Sequence, residues 1–117
     1  MSRIIKVESG FKAKNIVIDL SGVEGEHGVI EAGTPVSRAG VVSNDSEAFG
    51  VMQESAIKGL RERVDVIYEA YLDLDECEDM SGLTFSNEAL AAMTGLKFSR
   101  AGTSLPFVAE GDPAISG

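Results

Sequence analysis

His27 and Cys77 are the only histidine and the only cysteine in the chain, so a histidine base or a thiol in any site must be one of these two. A hydrolytic triad needs a nucleophile, a base and a group that orients the base. His27 lies in the glycine-bounded acidic run GVEGEHG, a pattern that reads as an exposed loop. Cys77 has no second cysteine for a disulfide, and a zinc site around it would lack ligands.

The carboxylates of Asp73, Asp75, Glu76, Glu78 and Asp79 invite a calcium reading, because hard cations gather several carboxylate oxygens. The loop pattern fails on identity. With Asp73 in the first position, Cys77 takes the fifth, Glu78 stands where the turn glycine belongs and Thr84 where the bidentate glutamate belongs. The cluster therefore reads as a solvated acidic loop. No other acidic pair is singled out for acid–base work, and neither a GxxxxGK[ST] phosphate loop nor a GxGxxG fingerprint occurs. The expectation is a protein without catalytic residues, cofactor or metal.

A length of 117 residues with 44% apolar content fits one core, and 13 glycines suit a fold rich in turns. The formal net charge of −9 opposes contact with nucleic acid, since neutralising phosphates requires clustered cations. No apolar run reaches the roughly 20 residues that span a bilayer, and the first residues lack a signal-peptide core, so synthesis in the cytoplasm without export is expected. These features together point to a small, acidic, β-rich domain that works by binding another protein.

The elements follow from periodicity. Residues 1–14 mix Ile4, Ile5, Val7 and Phe11 with charged residues and read as an N-terminal arm, followed by a strand at 15–20 in which Ile16, Ile18 and Leu20 alternate. In Ala32-Gly33-Thr34-Pro35 the glycine supplies a turn conformation and the proline biases Thr34 towards extended backbone, which predicts a bend between strands. Segments 38–42 and 48–53 read as a hairpin joined by Ser43-Asn44-Asp45-Ser46. Residues 54–63 read as a loop. The clearest strand is 64–72, with Val64, Val66, Tyr68, Ala70 and Leu72 on one face and Ile67 on the other with Asp65, Glu69 and Tyr71. The best helix is 87–94, with Ser86 as N-cap, Phe85 and Leu90 as a hydrophobic staple and Gly95 as terminator. Residues 15–109 then form one β-rich domain, and 110–117 a flexible tail.

The stretch HGVIEAGTPVSRAGVVSNDSEAFGVMQESA, followed by VDVIYEAYLD and LTFSNEALAAMTGLKFS, resembles the head decoration and head fiber proteins of tailed bacteriophages. The resemblance covers about residues 16–99 and rests on the order of short structural motifs: the AGTP bend at Ala32 to Val36, the A-x-G-V strand at Ala48 to Val51, the valine-rich strand at Val64 to Leu72 and the helix at Asn87 to Thr94. The charged stretch Lys58 to Arg63 has no place in that pattern. The resemblance implies a small β-barrel or β-tulip with one or two short helices, located on the outer surface of the virion capsid. Its implied partner is the major capsid protein, bound after shell expansion, often as a homotrimer at three-fold or quasi-three-fold positions, with monomer and trimer both open for this chain. Residues 1–14 would dock on the capsid by strand addition. The alternative reading is a cellular β-barrel module that binds a small molecule or peptide.

Overall fold

The structure is a computed structural model, and it describes residues 11–99. Ile4, Ile5 and Val7 of the expected arm and the tail 110–117 lie outside the described residues. The described chain is mainly β, as expected: β1 (Lys12–Val17), β2 (Val29–Ile30), β3 (Pro35–Val36), β4 (Gly50–Met52), β5 (Ala56–Ile57), β6 (Arg63–Asp73) and β7 (Leu96–Ser99), with α1 (Leu74–Ser81) and α2 (Asn87–Ala92) between β6 and β7. The main sheet runs β1-β6-β4-β3, with β7 also paired to β6, and β2 and β5 form a separate ribbon. Among the described residues the sheets are open. This differs from the barrel that the resemblance implies, because β1 and β3 end the main path without pairing to each other.

β6 organises the fold because β1 and β4 both pair with it at Val66 and Ile67, and it is long enough to pair with β7 further on, from Ala70 to Asp73. Neighbouring residues of a strand point to opposite faces. Val51 and Met52 of β4 sit opposite Ile67 and Val66 of β6, and the two pairs go to different cores. Met52 and Val66 join Ile16, Ile18, Val36 and Val64 on one face. Val51 and Ile67 join Leu72, Leu74, Phe85 and Leu90 on the other. A strand buried on both faces reads as a continuous apolar run, which is why Val66 and Ile67 are consecutive.

Ile67 and Leu72 are five residues apart, an offset that an unbroken strand would send to opposite faces. A β-bulge resolves the conflict. Ala13 pairs with Ile67 but Lys12 pairs with Glu69, which leaves Tyr68 as the extra residue of β6. The alternation therefore shifts by one, and Ile67 and Leu72 meet in the same core. The single face expected for Val64 through Leu72 is corrected accordingly: Val64 and Val66 serve one core, while Ile67 and Leu72 serve the other.

Three further boundaries differ from the expectation. The strand expected at 15–20 begins at Lys12, so residues 12–14 belong to the sheet and Phe11 packs, half-buried, against the larger core. The hairpin expected between 38–42 and 48–53 forms instead between β3 and β4, because Gly40 adopts a φ of 86° and its N–H donates to the Ser37 carbonyl, turning 37–40 into a tight turn. Val42 keeps one bridge to Val36. Within the 54–63 loop, β5 pairs with β2 and the chain turns at Gly59.

The acidic run is a helix, not a solvated loop. Asp73 accepts a hydrogen bond from the Glu76 backbone N–H at 3.2 Å as N-cap of α1, Asp75 and Glu76 place negative charge in the first turn, and Gly82 closes the helix in the left-handed conformation. Leu74 and Cys77 face the core. In α2 the expected Ser86 cap forms, its hydroxyl accepting from the Ala89 N–H at 3.0 Å, and Phe85 and Leu90 are both buried. The helix ends at Met93 rather than at Gly95.

Gly50 is required where β4 crosses β6, since a Cβ there would run into the Ile67 carbonyl oxygen and stand 2.9 Å from Val66 Cγ1. Gly22 has open space around it. Gly50→Ala is expected to lower unfolding stability by about 1–3 kcal/mol, the usual cost of overpacking. Gly22→Ala should stay within about 0.5 kcal/mol of the parent. Denaturant melts of the two variants, read against the parent chain, check both expectations.

Candidate functional site

The AGTP segment is a packed bend. Gly33 has a φ of 89°, its N–H donates to the Met52 carbonyl at 2.8 Å, and a Cβ on it would lie 2.8 Å from the Cys77 carbonyl oxygen. Thr34 is buried and its hydroxyl donates to the Glu31 carbonyl at 2.7 Å, while the Ala32 N–H donates to Ser55 Oγ at 2.9 Å. Ala32, Gly33, Thr34 and Pro35 are all buried. They hold β3 and α1 together and present no side chain to solvent.

The candidate chemical residues are dispersed. His27 is exposed on the 21–28 loop, as expected. That loop is latched by Lys58, whose backbone N–H donates to the Gly28 carbonyl at 2.9 Å and whose Nζ donates to the Val23 carbonyl at 3.1 Å. The latch gives the stretch starting at Lys58 a structural role that the sequence pattern did not supply. Glu78 accepts a hydrogen bond from the Phe85 N–H at 2.8 Å and so ties α1 to the approach of α2. Among the described residues, no three His, Cys, Asp or Glu side chains converge on a metal position, and no helix is long and apolar enough to cross a membrane. Asp19 Oδ1 accepts from the Ser21 N–H at 3.0 Å. The Ser21 side chain and then its backbone hold the Asp19 carboxyl below the usual carboxylate range.

A groove forms where four segments meet: the 37–39 turn, residues 46–49 before β4, the bulge at Tyr68–Glu69, and residues 92–95 between α2 and β7. Its volume is about 600 Å³, it opens to solvent, and it falls in the roughly 300–1,000 Å³ range of ligand sites. Phe49 and Tyr68 stack at 5.2 Å with their planes 23° apart, and the Arg38 guanidinium lies over the Phe49 ring at 4.2 Å. Such a cation–ring contact restrains the side chain as well as attracting it. Glu47 and Glu69 contribute to the walls, and Glu69 pairs with Lys12 at 3.2 Å. The floor approaches closely, since a Cβ on Gly95 would meet the Tyr68 carbonyl oxygen.

Sequence reading missed this site because its residues come from four segments that run from Ser37 to Gly95. The only local signal was Tyr68, whose aromatic ring interrupts a run of smaller apolar residues in β6. Exposed apolar side chains lie elsewhere, at Val17, Val41 and Val42 on neighbouring segments and at Leu60, which is 69% exposed on the turn after β5. Compared with family models, curated proteins and solved structures, the chain matches none.

Cys77 is fully buried. Burial pushes its thiol well above the ordinary range, and the carboxylates of Asp73, Glu78 and Glu76 add to the shift. A thiol held protonated is a poor nucleophile. Iodoacetamide at pH 8 should leave the native protein unlabelled over hours and modify it stoichiometrically in denaturant. Rapid native labelling, read by mass spectrometry, would contradict this placement of Cys77.

Proposed function

We propose that this chain is a capsid decoration protein of a tailed phage, which binds the outer surface of the expanded head through the major capsid protein and stiffens the shell against the packaged DNA. The observation that carries the reading is the assembly of the motif segments into one continuous unit. The AGTP bend leads into β3, the segment 48–51 closes the β3–β4 hairpin, the valine-rich β6 runs through the centre, and α2 follows with its Ser86 cap.

The hairpin and the helix are joined directly. Asn44 accepts from the Ser86 N–H at 2.9 Å, donates to the Thr84 carbonyl at 2.8 Å, and its own carbonyl accepts from the Ser86 hydroxyl at 2.9 Å. A repeated cement subunit gains from such cross-ties, because many modest contacts summed over a shell require each copy to hold its shape. β1 supports strand addition, since its partner among the described strands is β6 alone, and residues 1–10 precede Phe11 and Lys12 in the sequence. The docking arm is therefore narrowed to residues 1–10. Val17, Val41 and Val42 offer apolar surface for a homotrimer contact.

The second reading, a module that binds a small molecule or peptide, is favoured by the groove at Arg38, Phe49 and Tyr68. Co-sedimentation with expanded, undecorated heads from the same source separates the two. The decoration reading expects saturation at a fixed ratio to capsid protein and a shell more resistant to heat. Absence of binding to both expanded and unexpanded heads would overturn it. Deleting residues 1–10 should abolish capsid binding while the thermal melt stays that of a folded domain; unchanged capsid binding would remove the arm from the proposal.

Asn44→Ala removes all the side-chain bonds of Asn44 to residues 84–86 and should cost about 1–3 kcal/mol of stability, because it leaves the Ser86 N–H and the Thr84 carbonyl without protein partners. Chemical denaturation measures the loss.

A further inference from the structure

We infer that the groove at Arg38, Phe49 and Tyr68 is a docking site for an extended segment of a partner protein that presents an Asp or Glu side chain to Arg38. This inference does not depend on the capsid reading, because it names a surface and its chemical complement rather than the protein that supplies the segment.

The argument starts from Arg38. Its guanidinium carbon lies over the Phe49 ring, 4.2 Å from the ring centre, and Phe49 in turn stacks on Tyr68 at 5.2 Å. Arg38 has no carboxylate or carbonyl partner among the described residues, although Glu47 lines the same groove. The guanidinium is therefore held near the ring by the cation–ring attraction while its planar fork of N–H donors stays available. A carboxylate meets that fork with two parallel hydrogen bonds, and less rotational freedom is lost than with a free arginine.

Charge decides among anions. Glu47 and Glu69 stand in the walls, and the chain carries −9 overall, so a phosphate bearing nearly two charges or a nucleic-acid backbone is repelled more strongly than a single carboxylate. Glu69 is paired with Lys12, which moderates its repulsion. Shape decides between a small molecule and a chain. The groove is open and crosses four separate segments rather than closing into a cavity, and an extended peptide can lay an apolar side chain beside the aromatic pair while its acidic neighbour reaches Arg38.

The test pans the immobilised full-length protein against a displayed library of random heptapeptides. A selected peptide is then synthesised in parallel with a version in which its acidic residue is the corresponding amide. Binding is read by fluorescence anisotropy with the parent chain, Arg38→Ala and Arg38→Lys. The expected result is enrichment of Asp or Glu among the selected peptides, with roughly tenfold or greater weakening for the amide peptide and for Arg38→Ala. Arg38→Lys should fall between, since it keeps the charge and loses the fork. Rising salt should weaken the parent complex. The amide peptide tests the same contact with the parent protein, so the result stands even if Arg38→Ala folds poorly. Failure to select any peptide, selection without acidic enrichment, or equal binding by the amide peptide overturns the inference.

Discussion

The extra residue in β6 is the constraint on which the rest of this structure depends. Strict alternation along β6 would feed a core on each face, but it would send Ile67 and Leu72, five residues apart, to opposite faces, although both belong to the core opposite the one that holds Val64 and Val66. The bulge at Tyr68 shifts the alternation by one residue and lets both sets be buried. Without it, either Ile67 or Leu72 would turn away from the core that holds Leu74, Phe85 and Leu90. The same residue carries the groove: Tyr68 leaves the β1 ladder at the bulge and stacks on Phe49, so core packing and the candidate binding surface share one irregularity.

The connections around β6 are secured by short-range polar devices rather than by long elements. Several strands have only two residues, so their positions depend on what holds the intervening loops. Asn44 ties the loop before β4 to the approach of α2, Glu78 ties α1 to Phe85, and Lys58 latches the 23–28 loop. Each satisfies backbone groups of the connecting loops, at Thr84 to Ser86 or at Val23 and Gly28, and an unsatisfied group costs more than a formed bond gains. The AGTP bend belongs to the same scheme. Its glycine is demanded both by a positive φ and by the approach of the Cys77 carbonyl.

This arrangement separates structural and interactive roles among the residues that seemed chemical. The acidic cluster begins with a helix cap and supplies first-turn charge, the cysteine is core, and the AGTP motif is buried. Among the described residues the surface carries an arginine over an aromatic ring, exposed valines and an edge of β1 that no other described strand pairs. The proposed docking and homotrimer contacts rest on these features.

Local patterns in the sequence determined the β-rich class, the alternation of Ile16, Ile18 and Leu20, the bend at Gly33 and the Ser86 cap with its Phe85 and Leu90 partners, because each depends on residues within a few positions of one another. The α1 helix was equally local. Its cap at Asp73, acidic first turn and closing Gly82 were present in the sequence, but the density of carboxylates obscured them. Tertiary structure alone decided that β6 would serve two cores, that β3 rather than 38–42 would pair with β4, and that Arg38, Phe49 and Tyr68 would form one groove. A strand's period says which side chains share a face, but only the packing of distant segments determines whether one face or both are buried, and where the period must break.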